Sequence, residues 1–158
     1  MAAIPITTYG ALLLKDELHD LKSVQRPWVI NAIAEARAQG DLSENADYDA
    51  AKEKQAFVEG RILELESKLS NCQIIDPSTL DAEGRVVFGS TVVLEDLDNS
   101  AEVRYQIVGD DEADIKLNKI SISSPIARAL IGKYAEDVVE FQAPSGKREY
   151  EIIEVLYI

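Results

Sequence analysis

The chain has 158 residues, enough for one ordinary domain or two small ones, and its hydrophobic fraction of 46% argues against disorder. A formal net charge of −13 excludes sequence-independent attraction to DNA or to an anionic membrane, because such binding needs neutralising cations. The single cysteine, Cys72, permits no internal disulfide, and no secretory signal or apolar run of about 18 residues is present. We therefore expect a cytoplasmic protein without a membrane partner.

The N-terminal third predicts a long helix with one interruption. Thr7 or Thr8 can cap a helix that begins near Tyr9, since a hydroxyl there accepts a bond from a free backbone N–H. Apolar residues then recur at spacings of three and four, but the pattern shifts by one residue at Pro27. Because proline removes a backbone hydrogen bond, a kink or brief break is expected there. Trp28 beside it is interpreted as a packing residue.

A second helical pattern follows a turn at Gly40. Its apolar seam has the alternating spacings of a heptad and comprises Ala51, Gln55, Val58, Ile62, Leu65, Leu69 and Cys72. Two seams joined by a short polar link favour an antiparallel two-helix coiled coil, in which each helix buries its stripe against the other. The first half therefore predicts a helical hairpin whose turn is its tip.

The period changes beyond a linker at residues 71–84. Short β-branched segments, typical of half-buried antiparallel strands, occupy residues 85–88, 91–95, 103–108, 137–142 and 149–156. One short helix interrupts them, with Ser124 as cap, Pro125 at its first position and Gly132 at its end. The predicted fold class is α+β with two domains, a coiled coil with an acidic tip over residues 1–76 and a globular antiparallel sheet with a short helix over residues 77–158.

The tip carries the candidate chemistry. Asp41 and Glu44 are three residues apart, so in a helix-like turn their side chains project on the same side. Mg²⁺ needs six oxygen ligands and usually takes one or two carboxylates plus waters and substrate phosphates. The two carboxylates therefore form an incomplete metal site, whose other ligands would come from a partner and its nucleotide substrate. Metal-assisted phosphodiester hydrolysis is the reaction that this arrangement favours.

Basic residues flank the same turn. Arg37 lies just before it, and Lys52 and Lys54 lie after it, so in an antiparallel hairpin they can cluster and contact a phosphate backbone locally. The alternative interpretation is simpler, because polar turns are commonly charged and surface helices commonly interleave charges. On residue types alone both interpretations stay open.

Two motifs carry a resemblance to a known family. The run GDLSENADYDAAKEKQ at residues 40–55 resembles the signature of the Gre family of bacterial transcript cleavage factors. The run SPIARALIGK at residues 124–133 resembles that family's C-terminal signature, and shorter matches extend over essentially the whole chain. The basic set near the tip is small, which resembles the subgroup that releases short RNA fragments.

The resemblance implies a fold and a partner. It implies a coiled-coil domain followed by an FKBP-like domain that docks on RNA polymerase, with the coiled coil in the secondary channel of the enzyme. The tip then helps a backtracked polymerase to hold a second Mg²⁺ and cleave the nascent RNA near its 3′ end. Asp41 is implied as a ligand of the shared Mg²⁺, and Glu44 is implied to assist the metal or the attacking water. The chain is then expected to have no cofactor of its own and to share Mg²⁺ with polymerase.

The resemblance also assigns contact residues. Tyr48 matches a family tyrosine that orients the tip or contacts RNA, although burial at the start of the helix explains it equally well. The loop before the short helix, with Ser121, Ser123, Ser124 and Pro125, resembles the docking surface for polymerase. The capping and proline chemistry of this loop is also needed for folding.

Three rival functions are open to the sequence. A prolyl isomerase would need an aromatic-lined pocket, and the second half contains no tryptophan. A Gre-like protein could bind the channel and modulate or inhibit polymerase without stimulating cleavage, and a structural coiled-coil adaptor would be indifferent to substitutions at the tip. Independent sequence-specific DNA binding is not expected, because neither half is basic.

Overall fold

The computed structural model describes residues 3–40 and 45–158, so Asp41 and Glu44 lie outside the described residues. The chain divides into a helical unit, Ala11–Cys72, and a sheet unit formed by Ala3–Gly10 together with Gln73–Ile158. Helices and strands are thus segregated along the chain, and the predicted two-unit α+β class is confirmed. None of the helices in the described part of the chain is long and apolar enough to cross a membrane.

The first helix of the hairpin contains a π-helical segment. Helix α1 spans Thr8–Asp20, a π-helical turn spans Leu21–Gln25, and helix α2 spans Arg26–Ala38 without a break. Leu21 and Val29, both almost fully buried, are eight residues apart instead of seven. A π turn inserts one extra residue, so it absorbs the shift in the apolar pattern and both residues stay in the core. The predicted break at Pro27 is wrong, because the irregularity lies just before the proline.

Helix α3, Ala46–Ser70, runs antiparallel to this long helix. Near the turn the side chain of Asn45 bonds to Ala36, and farther away the ion pairs are Arg26–Glu59 and Lys22–Glu66. The buried seam comprises Val29, Ile33, Ala36, Ala51, Val58, Ile62 and Leu65. The predicted hairpin is therefore confirmed, and its stability comes from this stripe since neither helix could bury its apolar residues alone.

Ion pairs line the edge of the seam. The Arg61 guanidinium donates two hydrogen bonds to the Glu17 carboxylate, at 2.6 and 2.9 Å. These bonds hold the pKa of Glu17 below its ordinary value. The side chain of Glu17 is 40% exposed, so solvent screening keeps the contribution of the pair to stability small, about 1 kcal/mol or less.

The sheet unit is built on five strands in the order β5-β4-β3-β7-β6. They are β3 Thr91–Asp96, β4 Glu102–Val108, β5 Lys119–Ser121, β6 Val138–Ala143 and β7 Gly146–Leu156. Helix α4, Pro125–Leu130, contributes Ala127 and Leu130 to the core of this sheet. The predicted all-antiparallel sheet needs one correction, because β5 runs parallel to β4.

One predicted strand does not form. In residues 85–88 the backbone of Val86 bonds to the loop after α4: its N–H donates to the Lys133 carbonyl and its carbonyl accepts from the Gly132 N–H, both at 2.8 Å. Val86 is fully buried. The apolar pattern there reflects burial against the sheet core, while the hydrogen bonds go to a loop.

A separate two-stranded sheet joins the start of the chain to the region that was predicted as a linker. Strand β1, Ile4–Thr7, pairs with β2, Cys72–Ile75. Residues 3–10 and 73–76 therefore lie with the sheet unit, whereas the boundary predicted after residue 76 places them with the helices. Neither short strand shows the alternation that identifies a strand in sequence, and a proline lies within the first of them.

Candidate functional site

Both ends of the described part of the tip are held by hydrogen bonds. The Gly40 N–H donates to the Arg37 carbonyl at 3.2 Å, and Gly40 has a φ of 107°, a left-handed value that favours glycine. On the other side Asn45 caps α3, since its Oδ1 accepts from the Tyr48 N–H at 3.1 Å. Its Nδ2 donates to the Ala36 carbonyl on α2 at 2.8 Å. One side chain thus ties the two helices together beside residues 41–44.

Sequence reasoning did not single out Asn45. The signal was present, since asparagine directly before an apolar helical pattern is a preferred cap. The same side chain also donates across to α2, a contact that depends on the fold of the turn and has no signature in the sequence.

The predicted tip contacts lie in the last turn of α2 and the first half of α3. Arg37 is exposed in the last turn of α2, and Tyr48 is half-buried in the first turn of α3. Lys52 donates to the Gln55 side chain at 3.2 Å, whereas the Lys54 ammonium lies 5.3 Å from the centre of the Phe57 ring. Since Lys52 and Lys54 are two residues apart on a helix, they project to different sides.

The predicted docking loop is closed by Asp110, which the sequence did not single out. The Asp110 carboxylate accepts hydrogen bonds from the hydroxyls of Ser121 and, at 2.7 Å, Ser123. Ser124 caps α4 by accepting from the Ala127 N–H at 3.2 Å. The bonds from the two serines hold the pKa of Asp110 below its ordinary value. The loop therefore has one hydrogen-bonded shape while it stays at the surface.

The structure corrects the interpretation of Trp28 as a packing residue. Its side chain is 63% exposed on α2, whereas Val29 next to it is 1% exposed and belongs to the seam. Adjacent residues on a helix point about 100° apart, so only one of the two can face α3. The hairpin thus presents a large aromatic surface to solvent.

A buried carboxylate fixes the start of α1 within the sheet unit. Glu112 is 8% exposed and accepts from the Thr7 N–H at 2.8 Å, from the Gly109 N–H at 3.3 Å and from the Thr7 hydroxyl. The hydroxyl of Thr7 in turn accepts from the Gly10 N–H at 3.1 Å, as the capping prediction for Thr7 requires. Residues that are 105 positions apart in sequence meet here.

Within residues 3–40 and 45–158, no group of three or more histidine, cysteine, aspartate or glutamate side chains could hold a metal ion. The described part of the chain thus offers no complete site of this kind. The predicted Mg²⁺ ligands, Asp41 and Glu44, lie outside this part.

Comparisons with known proteins extend over the whole chain. Residues 4–74 match the N-terminal domain of the transcription elongation factors GreA and GreB, and residues 81–157 match the C-terminal domain of that family. The chain belongs to the GreA/GreB family. It is 68% identical to the transcription elongation factor GreA of Ralstonia nicotianae over all of both chains, and 66% identical to that of Polaromonas naphthalenivorans, again over all of both.

Family membership confirms the resemblance read from the two motifs. The curated relatives named above are called GreA, which is consistent with the small basic set near the tip. Among solved structures, the chain is 29% identical to GreA factor homolog 1 of Thermus thermophilus, with 97% of this chain and 98% of that chain covered and a TM-score of 0.43. Because both family domains match and the GreA relatives are 68% and 66% identical over the full length, the protein is a transcription elongation factor, and the alternative of a channel-binding modulator without cleavage is not favoured.

Proposed function

We propose that the chain binds RNA polymerase through its secondary channel and stimulates the cleavage of backtracked nascent RNA by the polymerase. The observation that carries this proposal is the match to both Gre domains, together with 68% identity to a GreA over the full length. The chain itself is then no nuclease. It supplies side chains to an active site that belongs to its partner, and rescue of arrested transcription follows from the cleavage.

The hairpin suits this task because it is a long element with its polar turn at one end. Helix α3 alone has 25 residues, which at 1.5 Å per residue is about 37 Å. The buried seam and the cross-helix ion pairs hold the two helices side by side, and Asn45 fixes the spacing beside the turn. The described ends of the two helices, at Gly40 and Asn45, are thereby held together on either side of residues 41–44.

Asp41 and Glu44 are the residues proposed to act at the polymerase site. Two carboxylates are suitable donors for Mg²⁺ but are too few to complete its coordination, so the ion would be shared with polymerase and the RNA. A shared Mg²⁺ would activate water and stabilise charge that develops on the phosphate. The carboxylates of this chain would orient the ion and the attacking water, with Asp41 as ligand and Glu44 as its assistant.

The remaining contacts divide between the two units. Arg37, Tyr48, Lys52 and Lys54 are proposed to meet RNA near the 3′ end within the complex. The loop with Ser121, Ser123, Ser124 and Pro125 is proposed to dock on the polymerase, and its network of hydrogen bonds supports this because a preorganised loop loses less entropy on binding.

A cleavage assay tests the proposal. Stalled elongation complexes with labelled nascent RNA, made from purified polymerase, are incubated with Mg²⁺ in the presence and absence of the chain. We expect short 3′ fragments to be released faster with the chain, and the shortened transcripts to resume elongation when nucleotides are added. Binding without any increase in cleavage would support the inhibitor alternative and contradict the proposal.

Asp110 provides a separate test of docking. Asp110→Ala removes the acceptor shared by Ser121 and Ser123, so the loop should lose its fixed shape and the affinity for polymerase should fall by roughly 5- to 10-fold, as expected for the loss of one or two exposed hydrogen bonds. The concentration of chain that gives half-maximal cleavage should rise, while the cleavage rate at saturation stays the same.

Asp110→Asn is the matched control, because its amide oxygen can still accept a hydrogen bond from a serine hydroxyl. It should restore most of the affinity. Equal half-maximal concentrations for wild type and Asp110→Ala would show that the loop does not contribute to docking.

A further inference from the structure

A groove runs along the hairpin beside the described edge of the tip. It lies between α2 and α3 and has a volume of about 440 Å³, within the range of roughly 300–1,000 Å³ typical of ligand pockets. Its lining includes four small residues, Ala32, Ala36, Ala50 and Ala51. Larger side chains at these positions would fill the space between the helices, so the groove is a consequence of sequence.

The walls of the groove carry an aromatic ring and two carboxylates. Trp28 and Glu35 are seven residues apart on α2, which places them on one face, and Asp47 contributes from the first turn of α3. The indole is 63% exposed. The Glu35 carboxylate accepts one hydrogen bond, from the Asn31 amide at 3.2 Å, and keeps further acceptor capacity.

Among the described residues that line the groove, the one cation lies close to a second aromatic ring. Lys54 lines the groove, yet its ammonium lies 5.3 Å from the centre of the Phe57 ring, one turn farther along α3. A separation below about 6 Å is a cation–π contact. The described lining thus carries two carboxylates, Glu35 and Asp47, against one ammonium, in a chain whose net charge is already −13.

We propose that this groove receives an arginine or lysine side chain of the protein partner of the hairpin. Indole faces attract cations more strongly than other aromatic rings do, and the two carboxylates add charge complementarity. The partner rests on the proposed function, which makes it a basic segment of RNA polymerase that borders the inserted hairpin. RNA is the less suitable occupant, because the two carboxylates repel phosphates.

Substitutions in the groove test the proposal, because each should change the affinity for polymerase in a stated direction. Polymerase binding is measured directly, by competition with a labelled wild-type chain, so the result does not depend on cleavage. Trp28→Ala should weaken binding by roughly 3- to 30-fold, the range expected for loss of a partly desolvated cation–π contact. Glu35→Gln combined with Asp47→Asn should also weaken it.

Leu63→Ala is the matched control, since Leu63 is 69% exposed on α3 and does not line the groove. It should bind polymerase as the wild type does. Trp28 is exposed, so its removal should leave the helical circular dichroism unchanged, and binding that is unaffected by Trp28→Ala would overturn the proposal. An RNA-binding groove would show the opposite effect of charge, with tighter binding after removal of the two carboxylates, and that result would also overturn the proposal.

The failure of this inference is distinguishable from failure of the proposed function. If the wild type binds polymerase and stimulates cleavage while all groove variants bind equally well, only the groove assignment is overturned. If the wild type does not bind polymerase at all, both are overturned.

Trp28 is the only tryptophan of the chain, so 5-fluorotryptophan labelling gives a single ¹⁹F resonance. This resonance should shift when a short arginine-rich peptide is added, and no shift should follow addition of single-stranded RNA.

Discussion

Replacing Asp41 by asparagine and Glu44 by glutamine is expected to reduce stimulated RNA cleavage by about 100-fold or more. A metal ion at such a site lowers the barrier by several kcal/mol, and each 1.36 kcal/mol corresponds to about tenfold in rate. Asparagine and glutamine keep the size of the side chains but remove the charges that would draw Mg²⁺ to the tip. Rates of fragment release from stalled complexes measure the effect.

Binding separates this prediction from a loss of docking. The double variant should compete with the wild type for polymerase nearly as well as an unlabelled wild-type chain does, because the docking loop and the hairpin are unchanged. Asp49→Asn serves as control, since Asp49 is an exposed carboxylate in the first turn of α3. Cleavage at the wild-type rate in the double variant would rule out the proposed donation of ligands.

The second large effect concerns stability. Gly10→Ala is expected to lower the free energy of unfolding by about 2–4 kcal/mol, the sum of overpacking and of hydrogen bonds lost to a buried carboxylate. A Cβ at position 10 would lie 2.5 Å from Cδ of Glu112 and 2.6–2.7 Å from its carboxylate oxygens. Glu112 cannot move aside freely, because Thr7 and Gly109 hold it by three hydrogen bonds. Urea unfolding followed by circular dichroism measures the change.

Gly60→Ala is the matched control for the same chemical change. Gly60 lies within α3, and a Cβ there meets no atom within 4 Å. Alanine should therefore stabilise the helix by up to about 1 kcal/mol, because it loses less conformational entropy than glycine. A stabilising effect at both positions would show that the contact between position 10 and Glu112 is not tight.

Most of the hairpin could be predicted from local patterns. The heptad positions Val58, Ile62 and Leu65 are buried as their spacing indicates, and Ser124 with Pro125 starts α4 as capping rules require. These features depend on residues within one or two helical turns. The shift in phase before Val29 was visible too, but sequence alone did not distinguish a proline kink from a π turn.

The features that sequence reasoning missed depend on distant residues or on faces with weak patterns. Glu112 meets Thr7 across 105 positions, and Asp110 reaches Ser121 and Ser123 from another loop. Strand β5 has three residues, too few to show a period or to indicate that it pairs in parallel with β4. Trp28 was expected to pack because aromatic residues usually do, while its neighbour Val29 takes the buried position.

The most direct measurement of the central claim is the Mg²⁺ dependence of RNA cleavage by stalled polymerase complexes. If the tip of the chain completes the coordination of a shared ion, saturating wild-type chain should lower the Mg²⁺ concentration that gives half-maximal cleavage. The variant with Asp41→Asn should return this concentration toward that of polymerase alone, even when binding is saturated. The same half-maximal concentration for polymerase alone, wild type and variant would contradict the account.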